Sequence, residues 1–170
     1  MAEATRRTTM AINARELASR WFFRHEWSFN DLPPAEDYPA FGKALLVCVN
    51  GDGELTPAER GWVLGYLASK GASERLLDEL KGYAATDDVV QVVSKSHIVN
   101  RARRAVVFDA IRACSADGEF SPGERATVRK LAAALGLSEN MVEQLEQAHL
   151  DEVKATARRI QLVFPEGTPL

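Results

Sequence analysis

The chain has 170 residues, 46% of them hydrophobic and 26% charged, which is the makeup of a globular domain long enough to bury a core of its own. A formal net charge of −3 argues against a general attraction to nucleic acid or anionic lipid. No apolar stretch approaches the ~20 residues that cross a bilayer, and Cys48 and Cys114, the two cysteines, form neither a metal-binding pair nor a Cys-x-x-Cys redox motif.

Residues 1–9 are polar and read as a flexible lead-in. Arg6 and Arg7 precede no apolar run before Arg15, so no secretory signal is expected. Residues 10–40 read as a helical arm and a loop. Thr9 is placed to cap a helix from about Met10 to His25, with Ile12, Leu17, Trp21 and Phe22 on its apolar side. Pro33 and Pro34 then enforce a loop. A second helix is predicted over Pro39 to Val49, where Phe41, Ala44, Leu45, Cys48 and Val49 recur at three- and four-residue spacing. The valines of Thr86 to Val93 leave a short helix and an extended piece both open. Asn100 is a candidate cap for a helix burying Val106, Val107, Ala110, Ile111 and Cys114, and a last helix is expected over Leu150 to Val163, ahead of Pro165. The sum is one all-α domain over residues 1–170, with six to eight helices packed as short antiparallel hairpins.

An internal repeat runs through this pattern. Residues 52–80 align without a gap on residues 117–145 at an offset of 65, with 12 of 29 pairs identical. Two copies are too few for a solenoid, so the repeat reads as a duplication inside one pseudo-symmetric domain. In each copy Thr56 or Ser121 is an N-cap, Pro57 or Pro122 takes the first helical position, and Glu59 or Glu124 the third, which together make a capping box. Gly71 and Gly136 stand where a left-handed helix end is expected, and Ser73 and Ser138 cap the next helix. That following helix should bury Leu76, Leu77 and Leu80 in one copy and Met141, Val142 and Leu145 in the other.

Ahead of each capped helix lies an acidic turn. The segment from Cys48 to Glu59 has the spacing of an EF-hand calcium loop, with Gly53 in the glycine place, but Cys48 and its counterpart Ala113 occupy the first ligand position, where an acid belongs. A complete calcium-sensor loop is therefore not expected. A weaker divalent site is, formed by Asp52, Glu54 and Glu59 with Asp117, Glu119 and Glu124; oxygen donors alone favour Ca, Mg or Mn over zinc. A purely structural role competes with it, because Asp52 and Asp117 can brace glycine turns while Glu59 and Glu124 close capping boxes.

The paired patterns Asp52 to Glu59 and Asp117 to Glu124, each followed by an Ala/Leu-rich helix and a Gly-x-Ser, resemble the signature of the TerB family of tellurite-resistance proteins. The resemblance spans about Ala40 to Leu150. It implies an all-helical fold, a place in bacterial stress and tellurite-resistance systems, and metal binding through acids at these positions. The co-chaperone versions of the family do not transfer, because the chain has no His-Pro-Asp triplet.

Other chemistry is less well supported. His25, His97 and His149 are widely spaced, and neither a nucleophile elbow nor a phosphate-binding glycine loop is present, so no catalytic residue is assigned. Lys95, Arg101, Arg103 and Arg104 form a basic cluster without interleaved aromatics, and no specific nucleic acid is expected to bind it. Cys48 and Cys114, each inside an apolar run, are expected to be buried and reduced, in keeping with the cytoplasm. The leading expectation is a non-enzymatic cytoplasmic binding or scaffold protein with a weak acidic divalent-metal site and a protein partner. The alternatives are a metal-free interaction module and a metal-assisted hydrolase. Oligomeric state is not legible in the chain.

Overall fold

A computed structural model describes residues 13–94, 96 and 101–167. The lead-in, Thr9, Ile12, Lys95, His97 and the Asn100 cap lie outside the described residues. Eight helices are found among them and no strand: α1 (Ala14–Trp27), α2 (Tyr38–Val49), α3 (Pro57–Ser69), α4 (Glu74–Lys81), α5 (Val89–Ser94), α6 (Arg103–Cys114), α7 (Pro122–Ala134) and α8 (Glu139–Val163).

The centre is the pair α2 and α6. From Ala44 to Val49 every residue of α2 is buried, and so is every residue of α6 from Val106 to Ile111, with Ala113 and Cys114. The sequence suggested one apolar face for each helix. A helix apolar around most of its girth is instead enclosed on all sides: α2 packs against α3, α4, α5, α6 and α7. The two repeat helices α3 and α7 flank this centre and bury matching positions, Val63 and Val128, Leu67 and Ala132, Glu59 and Glu124.

Local chemistry explains the ends of these helices. Thr56 and Ser121 both form the full capping box with Glu59 and Glu124, and both first turns carry their proline. Both helices then end in the same left-handed motif. Gly71 and Gly136 take φ of 89° and 69°, and the amides of Ala72 and Leu137 reach back to Leu67 and Ala132 at 3.0 and 2.9 Å.

Three expectations need correction, and one open alternative is decided. Helix α1 starts at Ala14 with Asn13 as its cap and runs on to Trp27. Its buried side is Ser19 and Phe23; Leu17 and Trp21 are 57% and 63% exposed. Residues 139–163 form one helix, where two were expected, because nothing between Leu145 and Leu150 breaks it. The ambiguous valine stretch is the helix α5, with Val89 and Val93 buried. Finally, Leu77, Met141 and Leu145 are only half-buried, leaving Leu76, Leu80 and Val142 as the inward positions.

Candidate functional site

Helices α2 and α6 each run into an acidic turn of the same construction. Gly53 and Gly118 adopt φ of 89° and 98°, and the Oδ1 atoms of Asp52 and Asp117 accept the amide N–H of Glu54 and Glu119, both at 3.0 Å. The aspartates therefore do brace their turns, as the structural reading expected. Asn50, which stands in a ligand position of the EF-hand alignment, is committed elsewhere: its Nδ2 donates to the Ala85 carbonyl at 3.2 Å.

The two turns meet. A Cβ placed on Gly51 would lie 2.7 Å from Glu124 Cα and 2.8 Å from the Gly123 carbonyl oxygen; one on Gly123 would lie 2.8 Å from Asp52 Cα. Backbone presses on backbone here, and only glycine leaves room. Their counterparts at the 65-residue offset are Ala116 and Ala58; Gly61 and Gly65 also lack a glycine counterpart yet face open space, so only the folded chain singles out Gly51 and Gly123. We expect Gly51→Ala to destabilise the protein by about 1–3 kcal/mol in urea unfolding, since the atoms it meets cannot rotate away. Gly61→Ala, facing open space on α3, is the control and should be neutral or slightly stabilising.

Where the turns meet, Asp52, Glu54, Thr56 and Glu59 face Asp117, Glu119, Ser121 and Glu124 across a cleft of about 330 Å³. All six acids named from the sequence line it, and no basic residue does. Glu59 and Glu124 form its floor, each 3% exposed. One oxygen of each is spent on capping. Glu59 Oε2 accepts from the Thr56 amide at 2.8 Å and the Thr56 hydroxyl at 2.7 Å, and Glu124 Oε2 accepts from the Ser121 amide at 2.7 Å. Glu124 Oε1 is buried with no hydrogen-bond partner. Burial, reinforced by the neighbouring Glu59 carboxyl, pushes the Glu124 carboxyl up to about 7. At the exposed rim, the Ser121 hydroxyl and the Glu54 amide hold the Asp52 carboxyl below its ordinary value.

This donor set suits a hard cation: it is oxygen only and rich in carboxylates. As placed, the acids surround the cleft without closing on a common centre, and among the described residues no three of His, Cys, Asp and Glu enclose an ion.

Cys48 and Cys114 lie beneath the carboxyl floor, both buried and both free. Burial pushes both thiols up, and Glu124 adds to the effect at each. Native protein should therefore react with Ellman's reagent at well under one thiol over minutes at neutral pH, and at two thiols once unfolded. The two described histidines, His25 and His149, stay outside the cleft. His25 stacks near Trp21 on exposed α1, and His149 lines an adjoining cavity.

Fold and cleft together define a class: an all-helical domain in which two acid-turn and capped-helix units meet at a carboxylate-lined cleft. A family model described as tellurite resistance protein TerB matches residues 43–147, a stretch that contains the whole cleft, and the chain belongs to this family. Among solved structures, the crystal structure of a tellurite resistance protein from Nostoc punctiforme PCC 73102 is similar at 34% identity with a TM-score of 0.83, covering 94% of this chain and 100% of that one. No curated protein matches. No described helix is long and apolar enough to cross a membrane.

Proposed function

We propose that the chain is a non-enzymatic, cytoplasmic binding protein of a tellurite-resistance or related stress system, and that its acidic cleft takes up a divalent cation of the Ca, Mg or Mn type. The observation that carries this reading is the convergence of six carboxylates from two separate turns on one cleft, with the buried Glu59 and Glu124 carboxyls beside each other at its floor. Asp52, Glu54, Asp117 and Glu119 at the exposed rim would swing inward, and Glu59 and Glu124 would supply the floor. The ion would offset the repulsion among them. We read the two halves of the cleft as a duplicated unit related by an approximate two-fold axis. Supporting this are the matched capping boxes, turn hydrogen bonds and helix ends at the 65-residue offset.

Affinity should be modest, weaker than that of a complete sensor loop, because Cys48 and Ala113 replace the first acid of each turn. Calorimetric titration of metal-free protein with calcium, magnesium and manganese tests the reading. Saturable binding in the micromolar to millimolar range is expected; none by folded protein at millimolar ion would reject it. The exposed Glu54 and Glu119 also form an acidic rim suited to a basic protein partner, with or without the ion.

A further inference from the structure

A second cavity shares no residue with the acidic cleft. It lies between α1, the 28–37 loop, the end of α3 and α6, and encloses about 140 Å³. The rings of Phe23, Trp27, Phe29 and Phe41 wall it, and Pro33 and Pro34 cover one side. An apolar cavity of about 150 Å³ holds benzene, so this one has room for a single six-membered ring.

Three charged residues line it, Asp37, Lys70 and Asp109; Asp37 is engaged by Ser96, whereas Lys70 and Asp109 are not fully satisfied. Lys70 Nζ sits over the rings of Phe41, Tyr66 and Phe23, at 4.5, 4.9 and 5.4 Å from their centres. No hydrogen bond or ion pair from this ammonium is formed among the described residues. Asp109 is fully buried on α6. Its Oδ1 accepts the Tyr66 hydroxyl at 2.9 Å and stands 3.6 Å from Arg112 Nη1, whereas Oδ2 has no partner. The neighbouring charges are engaged: Arg112 pairs with Glu26 at 2.6 Å, and Asp37 takes the Ser96 hydroxyl at 2.7 Å. Burial pushes Asp109 up to about 6 and Lys70 down. A buried polar atom without a partner is costly, and natural cores seldom leave one.

We propose that this cavity binds a small, uncharged aromatic molecule whose polar head donates and accepts at once, a phenol or a primary aromatic amide. The ring would fill the aromatic walls. The head would donate toward Asp109 and accept from Lys70. A charged head is disfavoured, since entry between the aromatic walls strips its water. A bare ring would leave both groups as they are.

Phenol and benzamide, followed by calorimetry and ligand-observed NMR, are the probes, with benzene, benzoate and benzylamine as comparisons. Phenol or benzamide should bind with a dissociation constant at or below about 1 mM, and the three comparisons about tenfold more weakly or worse. Ala105→Leu, one helical turn before Asp109 on the cavity wall, should fill the cavity and abolish binding while the protein stays folded by circular dichroism. Lys70→Met should weaken phenol about tenfold and leave benzene unchanged. Benzoate or benzylamine binding as tightly as phenol would overturn the uncharged head. Binding that survives Ala105→Leu would overturn the location, and no binding of phenol or benzamide at about 10 mM would overturn the site.

Discussion

Replacing Asp52 and Asp117 together by asparagine is expected to abolish saturable divalent-cation binding while changing metal-free stability by no more than ~1 kcal/mol. Both side chains are exposed at the rim; the Ser121 hydroxyl donates to Asp52, and each aspartate accepts the amide two residues on at 3.0 Å. Asparagine Oδ1 accepts that bond equally well, so the turn survives. What is lost is charge, two of the six carboxylates on the cleft. Asp52 is the more telling of the two, because the Ser121 hydroxyl favours its ionised form and so keeps it ready for a cation. Calorimetry on parent and double variant decides the matter: equal binding by both would place the ion away from these turns. Glu59→Gln separates the roles less cleanly, since glutamine still closes the capping box.

The second large effect is a proton linkage centred on Glu124. Its carboxyl is raised from an ordinary 4.5 to about 7, chiefly by burial. Metal-free folded protein therefore holds a proton across this window that the unfolded chain has released. The sign follows: this contribution to stability is fully present below pH 4.5 and is lost as pH rises to about 7. The loss should be about 2 kcal/mol, less than the full shift would give, because the cleft above is open to water. A cation must displace the same proton, so affinity should rise with pH through the window, by up to about tenfold per unit, and level off above it. Glu124→Gln keeps an acceptor for the Ser121 amide but removes the ionisation. Urea unfolding in chelator at pH 5 and pH 8 should show a smaller pH-dependent loss for the variant than for the parent. Asp109, also raised, titrates in both proteins and cancels in the comparison. An identical pH dependence in the two would count against the linkage.

The class of fold, both capping boxes, both left-handed glycine ends and the identity of the six acids were legible in the chain itself. These features are local. A cap needs a hydroxyl and a glutamate three residues apart, and a left-handed end needs a glycine, so a few adjacent residues carry the whole signal. Burial of the two thiols was legible for a related reason, since an uninterrupted apolar run has nowhere to go but inside.

Tertiary packing decided the rest. That the two acidic turns share one cleft depends on how α2 and α6 cross and on the close contact of Gly51 with Gly123, residues 72 positions apart whose meeting no spacing rule encodes. The buried side of α1 went to Phe23 and away from Leu17 and Trp21, because a single helix turning against a fixed body keeps whichever stripe finds a partner. Whether Glu124 is only a cap or also a proton-holding floor turned on the nearness of Glu59 and on burial, both of them properties of the assembled domain. The aromatic cavity is the extreme case. Lys70 and Asp109 look like ordinary charges in sequence, and only the folded chain sets them on one aromatic-walled pocket, because desolvation belongs to a place in the structure and to no residue alone.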